Sequence, residues 1–260
     1  MPQSIKIWPH RGRDLMIRWN RIYIDRPADV FEAAMAFWTA VTGTRLSEPH
    51  GEQGEFITLL PPHGDPCLHG QRVGGPGGAH LDLDVDDLAA ARRRALDLGA
   101  VVLADRGHFS ALRSPAGTAF CLTTGDGEHA PPPVPAPDGT LGRVDQVCLD
   151  IGAAGYDREV EFWAALTDWE VRPSARPEFD RLGVPDQLPI RILLQRKDTD
   201  EPAAAHPDAA CADIEATAAW HESLGARRIS RGAHWLVMHD PTGGVYCLTG
   251  RDPHTGRMPS

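Results

Sequence analysis

The stretch Ala79-His-Leu-Asp-Leu-Asp-Val-Asp-Asp-Leu88 returns in weakened form as Ala205-His-Pro-Asp-Ala-Ala-Cys-Ala-Asp-Ile214. His206 minus His80 is 126, and so is Asp213 minus Asp87. The same shift carries Leu98-Gly99-Ala100 onto Leu224-Gly225-Ala226, Pro115 onto Pro241, and Cys121-Leu122-Thr123 onto Cys247-Leu248-Thr249. A gap-free self-match is the signature of a duplicated structural unit, and it constrains the fold more than any local propensity. A second match, at a shift of 125, carries Asp25 onto Asp150 and Phe37-Trp38 onto Phe162-Trp163. The chain therefore reads as two copies of a two-part domain.

Local patterns say what each part contains. Ile22 and Ile24 alternate with Arg21, Tyr23 and Asp25, the period of a half-buried strand. Asp29 is placed to open a helix whose Phe31, Ala34, Met35 and Trp38 recur at helical spacing, ending near Gly43. Phe56 to Leu60 and Cys67 to Val73 read as strands. In His80 to Val85, Leu81, Leu83 and Val85 face one way and His80, Asp82 and Asp84 the other. Asp86 or Asp87 then caps a helix with Leu88, Ala91, Ala95 and Leu98 on its buried stripe, and short strands follow to Thr123. Each part is thus a strand, a helix and about three strands. The expected segments are a leader at 1–16, domains at 17–125 and 143–251, a Pro-rich linker at 126–142 and a tail at 252–260.

Among 260 residues the formal net charge is -10, which argues against a nucleic-acid or anionic-membrane partner. The first residues contain no long apolar run, so neither a secretory signal nor a membrane anchor is expected there. The five cysteines are scattered and form no Cys-x-x-Cys pair, which fits reduced thiols in a cytoplasmic protein. A phosphate-binding loop, a serine-nucleophile elbow and an HExxH motif are all missing from the sequence. His63, Asp65, Cys67 and His69 lie close together in a Pro/Gly-rich stretch that reads as a solvated turn.

The matching pieces are Phe37-Trp38 and Phe162-Trp163, His80-Leu-Asp-Leu with Val85-Asp-Asp-Leu88, Leu224-Gly-Ala226, and Asp240-Pro-Thr-Gly243 followed by Val245-Tyr-Cys-Leu248. In their order, repeated twice, the sequence resembles the vicinal oxygen chelate superfamily of glyoxalases, bleomycin-resistance proteins and extradiol dioxygenases. More narrowly, it is similar to bacterial glyoxalase-like proteins in which two such domains are fused. The resemblance implies an α+β fold of four βαβββ modules that form two U-shaped clefts. It also implies ligand positions, because metal-using members draw donors from the first and last strands of each module. Carried over, these are Arg21, Gln71, His80 and Cys121 in the first domain, and Gln146, Gln195, His206 and Cys247 in the second.

A guanidinium cannot ligate a cation, and one imidazole with one thiol makes a poor site for a hard ion. The resulting expectation is a cleft that binds a small organic molecule without a metal cofactor. Arg21, Tyr23, His80, Asp82 and Cys121 are the candidate binding residues of the first cleft, and Gln146, His206 and Cys247 those of the second. The first cleft is the expected working one, since it has Arg21, Tyr23 and Asp84 where the second has Gln146, Cys148 and Ala210. The alternative is a lyase, isomerase or dioxygenase using a divalent metal ion held by His80 or His206. A third reading is a scaffold with vestigial clefts. Whether the protein is an enzyme stays open on the sequence, and a monomer or homodimer is expected.

Overall fold

The duplication is realised as two sheets with the same strand order. A computed structural model describes residues 17–174, 176–199 and 201–258; the expected leader lies outside them. The first module comprises β1 (Ile17–Pro27), α1 (Phe31–Thr42), β2 (Arg45–Leu46), β3 (Phe56–Leu60) and β4 (Leu68–Val73). The second comprises β5 (Gly78–Val85), α2 (Leu88–Asp97), β6 (Val101–Asp105), β7 (Phe109–Arg113) and β8 (Ala119–Thr123). A short strand, β9 (Val134–Pro135), follows. The third module is β10 (Leu141–Gly152), α3 (Tyr156–Thr167), β11 (Val171–Pro173), β12 (Phe179–Leu182) and β13 (Arg191–Lys197). The fourth is β14 (Ala204–Cys211), α4 (Ile214–Ser223), β15 (Arg227–Arg231), β16 (Trp235–His239) and β17 (Val245–Thr249).

The strand order β2-β3-β4-β1-β5-β8-β7-β6 in the first sheet recurs as β11-β12-β13-β10-β14-β17-β16-β15 in the second. In each, the two modules meet along one antiparallel seam, β1 with β5 and β10 with β14. The protein is α+β, with four βαβββ modules in tandem domains. The segment read as a spacer is docked: Val134 and Pro135 pair with β10 through Gly142 and Leu141.

Short local signals set the helix ends. Asp87 accepts from the Ala90 amide, and Asp213 from the amides of Glu215 and Ala216, satisfying donors the first turn leaves free. The first helix starts differently from the sequence expectation. Its N-cap is Val30, which has no side-chain oxygen, and Asp29 lies one residue too early to cap it. The chain leaves α1 through Gly43 at φ 61 and leaves α3 through Asp168 at φ 59. Aspartate is one of the few residues that tolerates that left-handed turn without glycine.

The helices carry much of the contact between domains. Phe37 and Trp38 of α1 pack against Tyr246 of β17, with ring centroids 5.8 and 5.3 Å apart. Phe162 and Trp163 of α3 pack against Phe120 of β8, at 5.8 and 5.1 Å. Each domain thus inserts the aromatic pair of its first helix against the last strand of the other. Asn20 adds a reciprocal clamp, donating to the Ile190 carbonyl at 2.7 Å and accepting from its amide at 3.1 Å. Among the described residues no helix is long and apolar enough to cross a membrane.

Candidate functional site

Strand alternation puts the polar residues of each sheet on the face away from the interdomain core. In the first domain β1 presents Arg21, Tyr23 and Asp25, while Ile22 and Ile24 are fully buried beneath. The β1–β5 register sets Arg21 opposite Asp82 and Tyr23 opposite His80. On the other side of β1, Tyr23 is level with His69 and Asp25 with Gln71. Cys121 of β8 is level with Asp82. Tyr23, His80, Asp82, Cys121 and Gln71 are therefore brought onto one floor, with Arg21 at its end.

His80 is the centre of that floor. Its Nδ1 lies 2.7 Å from Asp25 Oδ2 and its Nε2 3.4 Å from Asp82 Oδ1. Tyr23 is stacked between His69 and His80, each ring centroid 4.8 Å away. Arg21 is held by Asp84 at 2.9 Å, and Asp84 also accepts from the Thr123 hydroxyl and the Gly125 amide.

Burial and charge oppose one another here. Burial alone would lower the His80 pKa, but the adjacent carboxylates of Asp25 and Asp82 reverse it and raise the net value. Burial lifts Asp82 to about 6 against the pull of His80. The Cys121 thiol is pushed far above its ordinary range by burial and then by Asp82. His69 goes the other way, to about 3, because burial and then Arg21 disfavour a charged ring.

The second floor repeats the centre and changes the edge. His206 Nδ1 lies 3.1 Å from Asp150 Oδ2, and its Nε2 is 3.3 Å from Asp208 Oδ1 and 3.4 Å from Cys247 Sγ. Its pKa is well above the usual value: burial lowers it, but Cys148, Asp150 and Asp208 more than offset that. Gln146 stands in Arg21's place and donates to Asp208 Oδ2 at 2.6 Å. Cys148 stands in Tyr23's place, with its Sγ 3.7 Å from Gln195 Oε1. Burial pushes the Cys148 thiol up to about 12.

Sequence reasoning missed the carboxylates behind the histidines. Asp25 and Asp150 share the 125-residue shift, and that was the available signal. His69 belongs both to the expected Cys67 to Val73 strand and to the cluster read as a solvated turn. It is a buried strand residue stacked on Tyr23, while Asp65 stays in the turn and accepts from the amides of Glu128 and His129. One more feature is common to both floors. Among the described residues Asp25 Oδ1 and its counterpart Asp150 Oδ1 are buried and make no hydrogen bond, while Asp82 Oδ1 and Asp208 Oδ1 are met by the imidazole Nε2 at 3.4 and 3.3 Å.

The donor set bears on the metal that the superfamily implies. Arg21, on the first strand, offers no lone pair and is committed to Asp84. His80, Asp82 and Cys121 still bring a nitrogen, an oxygen and a sulfur within 4.8 Å of one another, as do Cys148, His206 and Asp208. Such mixed sets suit a borderline or soft ion better than a hard one. Each imidazole, however, sits between carboxylates that favour the protonated ring, and a ring must lose that proton to ligate.

The buried histidines accordingly divide into two classes. The rings of His80 and His206 are expected to keep their protons to higher pH than an ordinary imidazole, whereas His69 and His221 stay neutral at pH 5, His221 being lowered to about 4 by burial. Ring-proton NMR titration checks this. Asp25→Asn is expected to move the His80 transition downward, and an unchanged midpoint would show that Asp25 does not set its charge.

A family profile described as a glyoxalase-like domain matches residues 21–123 and again 146–249. No curated protein sequence matches the chain. Among solved structures, the fold is similar to a mutant of 4-hydroxymandelate synthase from Streptomyces coelicolor, with 13% identity and a TM-score of 0.58, covering 92% of this chain and 93% of that one. It is also similar to 2,2',3-trihydroxybiphenyl 1,2-dioxygenase from Sphingomonas wittichii, with 12% identity, a TM-score of 0.61 and 90% of each chain covered. A xylose isomerase-like TIM barrel/4-hydroxyphenylpyruvate dioxygenase fusion protein matches at 14% identity and a TM-score of 0.57, over 88% of this chain and 48% of its own length. Identities this low speak to the fold alone. With both halves matched in the same register as the internal repeat, the chain belongs to the glyoxalase-like family of the vicinal oxygen chelate superfamily, as two tandem copies of its domain.

Proposed function

We propose that the first cleft binds a small organic molecule carrying hydrogen-bond donors, and does so without a metal ion. One observation carries this reading: both floors keep the same buried carboxylate oxygen, Asp25 Oδ1 or Asp150 Oδ1, without a hydrogen bond, beside an imidazole that carboxylates favour as a cation. Buried acceptors left unpaired cost free energy, so a site that keeps them is complementary to donors brought by a ligand. The His69–Tyr23–His80 stack covers both faces of Tyr23, so it lines the floor with ring edges suited to an aromatic body. The first cleft is favoured because it alone has Tyr23 on the floor and the Arg21–Asp84 pair beside it.

Thermal-shift screening of hydroxylated and aminated aromatics tests it, since a ligand of the folded state raises apparent stability. A hit is expected to lose its shift in Asp82→Asn and Tyr23→Ala and to keep it in Gln146→Ala. A shift that survives both first-cleft variants would remove the ligand from this floor.

The second reading is a metal-dependent lyase, isomerase or dioxygenase. The grouping of His80, Asp82 and Cys121 within ligand distance favours it. Elemental analysis separates the two. About one transition metal per chain, lost in His80→Ala, would replace the metal-free reading.

A further inference from the structure

Outside both floors, an apolar cavity lies where the end of α1, the β3–β4 turn, the 130–134 segment and the start of β10 meet. It is open to solvent on one side, and the space between its walls and mouth is about 590 Å³. Val41, Leu59, Leu68, Val134 and Val144 make its walls, and among the described residues its lining holds no carboxylate and, of Arg and Lys, Arg143 alone.

Arg143 is also a cation without a full partner. The nearest carboxylate, Asp145, is fully buried and already taken. Arg251 binds both its oxygens, at 2.7 and 3.0 Å, and Arg191 reaches Oδ2 at 3.3 Å. Arg143 is left at 3.9 Å from Asp145, too far for a hydrogen bond. Its Nη2 has one long contact, 3.4 Å to the His254 carbonyl, and its Nε is buried with no partner. Three guanidiniums thus share one carboxylate, and Arg143, the residue that lines the cavity, holds it least. Crowding shows in Arg191, whose pKa burial lowers first and the neighbouring arginines lower further, against the pull of Asp145.

We infer that this cavity binds a small monocarboxylic acid with an apolar body. The carboxylate pairs with Arg143 and the body fills the space between Val41, Leu59, Val134 and Val144. An uncharged molecule would leave the Arg143 donors unsatisfied, and an inorganic anion would leave the apolar walls empty. This site shares no residue with either cleft floor, so it stands or falls apart from the reading given above.

Calorimetric titration of the whole chain at constant ionic strength tests it, with benzoate and octanoate as probes and benzyl alcohol and octanol as uncharged controls. The acids are expected to bind saturably and the alcohols about tenfold or more weakly. Arg143→Gln is expected to weaken the acids by about the same factor. Arg191→Gln is expected to weaken them too, because it frees Asp145 Oδ2 for Arg143, an effect that a merely structural Arg191 would not have. Val134→Phe, which fills the cavity without touching the arginines, is expected to abolish binding even if Arg143→Gln fails to fold. No saturable binding of either acid, or acid binding unchanged in Val134→Phe, would overturn the inference.

Discussion

Asp240→Ala is expected to destabilise the protein by about 3–5 kcal/mol, the usual loss when a buried ion pair is broken from one side. Asp240 lies in the β16–β17 turn yet is the meeting point of the two domains. Its Oδ2 accepts from Arg26 Nη2 at 2.6 Å and Nε at 3.2 Å, and from Trp38 Nε1 at 3.2 Å. Its Oδ1 accepts from the Thr242 hydroxyl and amide and from the Gly244 amide, at 2.7 to 2.9 Å. The side chains are 0% exposed for Asp240 and 3% for Arg26, so water cannot replace the lost partner. Gly244 reinforces the fit, because a Cβ there would overlap the Arg26 guanidinium. Urea midpoints of wild type, Asp240→Ala and Asp240→Asn give the measurement, and the Asn variant should fall between. A loss below about 1 kcal/mol would mean that Arg26 swings to solvent. The exposed pair Arg172–Glu170 is the control, and Arg172→Ala should cost under about 1 kcal/mol.

The same residue sets a pH dependence. Burial acts to raise the Asp240 pKa, but Arg26 and the turn donors outweigh it and hold the carboxyl below the ordinary value of 3.8. A depressed carboxylate contributes stability that is present above the unfolded pKa and lost as pH falls through the folded one. The gap between wild type and Asp240→Ala should therefore be full at pH 5 to 7 and shrink below about pH 4.

How much of this was legible in the sequence depends on the range of the interaction. The four modules follow from two self-matches, since a duplicated unit repeats its own local pattern. The cleft face of β5 follows from alternation in His80 to Val85, because one face of that strand is entirely apolar. Asp25 and Asp150 were harder to see. An aspartate near the end of a strand ordinarily faces water, and only the seam between β1 and β5 brings it to the imidazole. His69 falls where two readings overlap, the Cys67 to Val73 strand and the Pro/Gly-rich turn before it. The strand prevails: Leu68–Val73 pairs with β1, and Gly70 leaves room for Met35 of α1. Phe37, Trp38, Phe162 and Trp163 are matched by the 125-residue shift, and all four are buried. Helical period reports only that a face is covered, and nothing local says that the other domain covers it.

Separating the domains is expected to have a larger effect than any single substitution. Residues 17–125 and 143–258, expressed separately, are each expected to lack a cooperative unfolding transition. In the intact chain Phe37 is 3% exposed, Trp38 1%, Phe162 2% and Trp163 0%, all against partners in the opposite domain. Losing one large buried aromatic costs roughly 3–5 kcal/mol, and whole domains are stable by only about 5–15 kcal/mol. Separation exposes an aromatic pair on each half and the strand that receives the other. It also strips polar partners: Glu159 of α3 accepts from the Ala116 amide at 2.9 Å and from the Ser114 hydroxyl, and Arg94 of α2 donates to the Ala165 carbonyl at 2.7 Å. Thermal melts followed by near-ultraviolet circular dichroism give the test, because the tryptophans at the seam report fixed packing. Mixing the halves in equal amounts should restore a single transition, since the two surfaces are complementary and the 126–142 segment contributes little to either aromatic contact. Two halves that each melt cooperatively near the temperature of the whole chain would show that each sheet and its own helices suffice. The seam would then be a docking surface between independent domains and not a shared core.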